Sequence, residues 1–131
     1  MNALEKKCII DFIIAGYTDA IIFTESSDEN RIYSDSRPSV KARQTISVIC
    51  RKFYKDNTES INTYMGAGVF PTQIGHDLWL TSKGHGAGFW DKNILPEIEA
   101  LLTTASKKFE DVNVYATKRN CFLVEYYQFG S

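Results

Sequence analysis

Apolar residues recur along this chain with two periods, one helical and one of two residues. Between residues 3 and 23, Ile10, Ile13, Ile14, Tyr17, Ala20 and Ile21 fall on one face at helical spacing, which predicts a first helix. The run Ile21-Ile22-Phe23-Thr24 fits a strand as well, so the end of that helix stays open. A polar, acidic connection follows from Thr24 to Ser36, carrying Glu25, Asp28, Glu29 and Asp35. Ser36 reads as an N-cap and Arg37-Pro38 as the start of a second helix, roughly 37–56. On that helix Ala42, Ile46, Ile49, Cys50 and Phe53 line one side, at about 100° per residue. Arg37, Lys41, Arg51, Lys52 and Lys55 line the other.

Thr58 to Pro71 is a glycine-containing connection with a helical turn around Ser60 to Met65. The stretch from Ile74 to Asp91 then holds both histidines, both tryptophans and four of the eight glycines. Its two aromatic-rich arms around Lys83-Gly84 predict a β-hairpin. A third helix follows, with Asn93 as cap and Pro96 in the first turn. Its stripe is Leu95, Ile98, Leu101, Leu102, Ala105 and Phe109, and Glu97, Glu99, Lys107 and Lys108 match the dipole at its two ends. Val112 to Ala116 and Phe122 to Tyr127 read as two strands joined at Thr117 to Asn120. The expected order is α-α-β-β-α-β-β, an α+β fold in which residues 1–131 form one domain with an antiparallel sheet packed against helices.

Composition agrees with one ordinary domain. The chain has 131 residues, 44% of them hydrophobic, enough for one core and too few for two domains. Fifteen basic residues against 16 acidic exclude a wholly basic nucleic-acid binder and an acidic mimic of DNA. The balance hides a polarity: residues 1–36 carry 3 basic and 7 acidic residues, whereas residues 37–57 carry 6 and 1. The most apolar stretch, Cys8 to Phe23, is interrupted by Asp11 and Asp19 and too short to span a bilayer, so no membrane role is expected. The start lacks a signal peptide's cleavage pattern. Cys8, Cys50 and Cys121 form no CxxC pair and are expected to be buried thiols in a reducing cytosol.

A two-residue turn at Lys83-Gly84 makes residues whose numbers add to 167 face each other. His76 then lies opposite Asp91, Asp77 opposite Trp90 and Trp79 opposite Gly88. His76 and His85 sit at opposite ends of such a hairpin, on the order of 20 Å apart, too far to share a metal. A longer loop, through Ser82 to Gly88, would bring His85 back and reopen that possibility; on the hairpin reading no metal is expected, and no cofactor is expected either. A His76–Asp91 pair would orient an imidazole as a general base requires, or simply pin the hairpin end. The loop Gly84-His-Gly-Ala-Gly88 lacks the Lys-Ser/Thr of a P-loop, and no nucleophile stands in a GxSxG signature.

The block Gly75-His-Asp-Leu-Trp-Leu-Thr followed by Gly84-His-Gly-Ala-Gly-Phe-Trp-Asp91 resembles one in small uncharacterised proteins of bacteriophages and related mobile elements. Those proteins often carry a basic residue then Asn at the turn, where Ser82 and Lys83 stand here. The resemblance implies the cytosol of an infected bacterium and a role in binding and blocking a host protein complex, counter-defence included. On that reading Trp79, Lys83, Phe89 and Trp90 form the contact surface, with Lys83 or the basic helix steering association. One alternative is a small hydrolytic or nucleotide-acting enzyme using His76, Asp77, His85 and Asp91. Another is nucleic-acid binding through Arg37, Lys41, Arg51, Lys52 and Lys55. The block also reads as wholly structural, with the working surface in the loops at 24–36 or 58–73.

Overall fold

A first helix, α1 (Ala3–Glu25), starts where Asn2 Oδ1 accepts the Glu5 N–H at 2.8 Å. In the computed structural model, which describes residues 1–85 and 87–127, four more helices and three strands follow. They are β1 (Arg37–Pro38), α2 (Val40–Asp56), α3 (Thr58–Gly66), α4 (Pro71–Ser82), α5 (Pro96–Ser106), β2 (Val112–Ala116) and β3 (Cys121–Tyr126). Short 3₁₀ turns occupy Phe89–Asp91 and Lys107–Phe109. The fold is α+β.

The sheet is mixed, in the order β1-β3-β2. β2 and β3 form the expected antiparallel pair, with Val114 opposite Val124. β1 runs parallel to β3, with Arg37 opposite Cys121 and Pro38 opposite Phe122. The expected cap at Ser36 is thereby corrected. Pro38 keeps its neighbour extended, so Arg37-Pro38 is a strand and the helix starts one turn later. Ser39 is the cap, its Oγ accepting the Ala42 N–H at 3.0 Å. Ser36 instead donates to Asn120 Oδ1 at 2.6 Å, joining the acidic connection to the β2–β3 turn.

The larger correction concerns residues 74–91, which form no hairpin. Pro71 occupies the first turn of α4, and the chain stays helical to Ser82. Lys83 and Gly84, the latter at φ +70°, end the helix instead of turning a ribbon. Ile74, Gly75, Asp77, Leu78, Trp79, Leu80, Thr81 and Ser82 are all buried. A helix enclosed nearly all round has no polar stripe, so the Leu78-Trp79-Leu80 run carries no helical period to read.

α4 lies in the core against α1, and the two backbones touch. A Cβ at Gly75 would overlap the Ile13 carbonyl, and one at Gly16 would overlap the Thr72 carbonyl. Around this crossing pack Ile13, Tyr17, Trp79, Phe53, Phe89 and Phe122, all fully buried. Tyr17 meets Trp79 edge to face at 5.5 Å, and Phe53 stacks on Phe89 at 6.2 Å. The cysteines are free thiols, but Cys50 alone is buried; Cys121 is half-buried and Cys8 exposed on the outer side of α1. No helix of the described residues is long and apolar enough to cross a membrane.

Two expectations follow for stability. Gly75→Ala should cost more than about 3 kcal/mol, because its methyl meets backbone rather than a flexible side chain. Gly66→Ala, facing open space, should lie within about 0.5 kcal/mol of wild type in the same denaturant titration. Tyr17 Oη is buried with no hydrogen-bond partner among the described residues. Tyr17→Phe should therefore leave stability unchanged or raise it by about 1 kcal/mol, and a loss above that would show a bound water at the hydroxyl.

Candidate functional site

After α4, residues 83–85 and 87–95 form a strap that crosses the helix end and is tied to the rest of the fold at four points and once to itself. His85 N–H donates to the Leu80 carbonyl at 3.0 Å, capping α4. Phe89 N–H donates to Thr81 Oγ1 at 3.1 Å, and Gly88 N–H to Asp91 Oδ1 at 3.2 Å. Gly88 is packed so closely on Thr81 that a Cβ there would overlap the hydroxyl oxygen. Lys92 Nζ stands 3.7 Å from Asp77 Oδ1, and Ile94 N–H donates to Glu99 Oε2 at 3.2 Å. The same Glu99 oxygen accepts the Tyr64 hydroxyl at 2.8 Å. Phe89 is the plug this strap inserts into the core, between Phe53 and Tyr64.

This geometry separates residues that the hairpin would have grouped. Trp79 is fully buried, its Nε1 donating to Thr24 Oγ1 at 2.7 Å, and Phe89 is fully buried too. Neither is a contact surface. Lys83 is also spoken for: Nζ donates to the Glu110 and Val112 carbonyls at 3.0 and 2.6 Å and lies 5.5 Å from the Trp79 ring centroid. Of the four expected contact residues only Trp90 stays outside, 56% exposed. It borders a groove of about 360 Å³ with Asn93, Pro96 and Thr103. The His76–Asp91 pairing is corrected as well, since Asp91 bonds Gly88 within the strap and His76 lies 6.4 Å from the Phe23 ring.

Asp77 is the most perturbed ionisable group of the four enzymatic candidates. It is fully buried, with Oδ1 accepting from Gln73 Nε2 at 3.0 Å and Oδ2 without a partner among the described residues. Burial raises its pKa to about 6, with Lys92 and Gln73 pulling the other way and Asp91 adding to the rise. Burial together with Lys92 lowers His76 below its usual value, against a smaller opposing effect of Asp19. A carboxyl titrating about 6 suits acid–base work, but Asp77 offers no surface for a substrate to reach. His85 is exposed at the far side of the α4 cap. No group of three or more His, Cys, Asp or Glu among the described residues is placed to hold a metal.

The expected basic helix face loses one member to the sheet, since Arg37 lies on β1 and the helix begins at Val40. Arg37, Lys41, Arg51, Lys52 and Lys55 are all exposed, and Arg43, which the helical-wheel reading left out, joins them. Among the described residues, Lys52 is the one cation of α2 with an ion pair, to Asp56 at 3.2 Å. α1 extends this surface, because its start packs on α2 and brings Lys6 and Lys7 to the rim of a groove shared with Arg51. Three shallow grooves border α2. One, of about 350 Å³, lies between Lys41, Gln44 and Thr45 and the end of β3. The second, of about 480 Å³, lies along Val40, Arg43, Gln44, Ser47, Val48 and Arg51. The third, of about 320 Å³, is the one at Lys6 and Lys7. Distance in sequence hid this second contribution, since nothing local to Lys6 signals Arg51.

Neither a family model, nor a curated protein, nor a solved structure matches this chain.

The neighbours Asp77 and His76 have opposite pH linkage. Asp77 holds its proton to about pH 6 when folded but only to about 3.8 when unfolded, so acidification from 7 to 4 stabilises the fold through this group. His76 binds its proton less readily when folded, so acidification below about 6.5 destabilises through it. Asp77→Asn should therefore lose stability steadily from pH 7 to 5, by about 1 kcal/mol relative to the wild-type trend. A melting series in which the variant and wild type run parallel would show Asp77 ionised normally in the fold.

Proposed function

We propose that this chain is a binding protein whose α2 face, extended by Lys6 and Lys7, docks an acidic surface of a partner protein. With the resemblance to phage proteins, the partner belongs to the host bacterium and the setting is its cytosol, with blockade of a defence complex as one such role. The observation that carries the reading is the set of exposed α2 cations, Lys41 on one flank and Arg43, Arg51 and Lys55 along another, unpaired among the described residues and bordered by shallow grooves. Val40, 65% exposed, and Val48 lie among these cations, which suits a protein partner more than a phosphate backbone. Net charge of −1 and an acidic connection at 25–35 likewise disfavour long-range attraction to DNA. Trp90, bordering its own groove, is the member of the expected contact set that stays at the surface.

One observation supports a nucleic-acid partner instead. Arg43, Ser47, Arg51 and Lys55 follow one another at one-turn spacing, about 6 Å apart along the axis, as a backbone-tracking row would. Pull-down from nuclease-treated bacterial lysate distinguishes the two. A protein partner held by wild type and lost at least tenfold by Arg51→Glu, Lys55→Glu supports the proposal. Capture abolished by nuclease, with affinity for duplex DNA falling steeply between 50 and 200 mM salt, supports the nucleic-acid reading. Equal capture by wild type and variant removes α2 as the interface.

A further inference from the structure

α1 carries apolar residues on every side, and two neighbours account for only part of them. Its inner face packs on α4 and α2. The outer face presents Leu4, Cys8, Phe12, Ala15, Asp19 and Phe23, a continuous stripe at i, i+4 and i+3 spacing. Leu4 is 70% exposed, Phe12 55% and Phe23 77%. A helix apolar all round is ordinarily covered all round.

We propose that a second copy of this chain covers this stripe, the two α1 helices packing antiparallel about a twofold axis. The pattern itself argues for a self-complementary contact. Residues whose numbers add to 27 face each other in such a pair, and this rule maps the stripe onto itself: Leu4 on Phe23, Cys8 on Asp19, Phe12 on Ala15. The bulky Phe12 ring meets the small Ala15 of the other copy, and Leu4 meets Phe23. Charge chooses the direction. Glu5 and Asp11 offset Lys6 and Lys7 at the start of α1, whereas Asp19 and Glu25 leave its end negative, so parallel packing would set Asp19 on Asp19 and antiparallel packing keeps the two acidic ends apart. Lys7 keeps its own-helix partner Asp11 at 2.8 Å and gains Asp19 of the other copy within one turn.

The area suffices. With Met1, 58% exposed, these side chains offer on the order of 500 Å² of apolar surface per copy. The pair would bury on the order of 1,000 Å², the lower end for a specific interface, which corresponds to a dimer that dissociates on dilution. This surface meets the α2 face only at Lys7, and Arg51 and Lys55 lie outside it, so the two proposals are tested by different variants.

Sedimentation velocity from about 1 to 200 μM tests it. The expected result is conversion from 14.9 kDa to twice that mass over the range, and monomer throughout for Phe12→Asp and Phe23→Asp, each with wild-type circular dichroism. Arg51→Glu, Lys55→Glu should dimerise as wild type does. Direction is read with a short bis-maleimide in a Cys121→Ser background. The antiparallel pair holds the two Cys8 positions on the order of 16 Å apart along the axis, but two cysteines at position 15 only about 4.5 Å apart. Cys8→Ser, Ala15→Cys should be captured as a dimer and unchanged Cys8 should not. A wild-type monomer at every concentration, a dimer indifferent to both aspartates, or capture at Cys8 instead of position 15 would overturn the proposal.

Discussion

Two glycines set the distance at which everything else in this molecule packs. Gly16 on α1 and Gly75 on α4 let the helices meet backbone to backbone, each glycine lying against a carbonyl of the other helix. Only that separation brings the Trp79 ring onto Tyr17 and its indole N–H to Thr24. It also puts Phe89 within reach of Phe53 and Tyr64, so that the strap closes over α4 rather than beside it. A side chain at either glycine would push α1 outward and loosen the layer that carries both exposed helix faces.

The dense motif from Gly75 to Asp91 takes its character from this geometry. Gly75 is there for the crossing, Trp79 for the core, and Thr81 to hold both Gly88 and the Phe89 amide. Lys83 ties the end of α4 to the start of β2 through two carbonyls. Glu99, placed by sequence at a helix start for its dipole, is instead buried and joins Tyr64 to the strap. So many special residues in one block therefore record a structural demand: a central helix must end, turn back and be covered within a few residues. Among the described residues that leaves Gly84, His85, Trp90 and Asp91 as the members of the block facing solvent.

Legibility followed exposure. α2 and the β2–β3 pair were readable because each has one wet and one dry side, or alternates between them, and periodicity records that contrast; α1 was readable from the helical spacing of its inner residues alone. The α2 stripe of Ala42, Ile46, Ile49, Cys50 and Phe53 is buried as its spacing requires. α4 was not readable for the converse reason. Its buried positions run from Ile74 to Ser82 almost without a break, and a run of apolar residues between glycines fits strand and helix alike. The β1–β3 contact was out of reach because it joins Arg37 to Cys121, with no local trace in either segment. The basic site was legible in its α2 half and not in the half that α1 lends it.

What remains at the surface is a molecule with two separate sticky faces on adjoining helices. α2 is charged, with its cations spread along about 25 Å of helix, and its attraction is strongest at long range and weakened by salt. The outer side of α1 is apolar, acts at contact and is insensitive to salt. Lys6 and Lys7 lie where the two meet, on α1 but beside Arg51. Pairing of α1 would therefore bring Asp19 of the second copy to the edge of the basic surface, partly neutralising it near Lys7 while leaving Arg43 and Lys41 clear. On the two proposals together, occupation of one face would alter the field of the other, and an acidic partner and a second copy would be coupled through Lys7. The sign of that coupling would be negative: an acidic surface seated over Lys6 and Lys7 would compete with Asp19, so each ligand would weaken the other by the same factor.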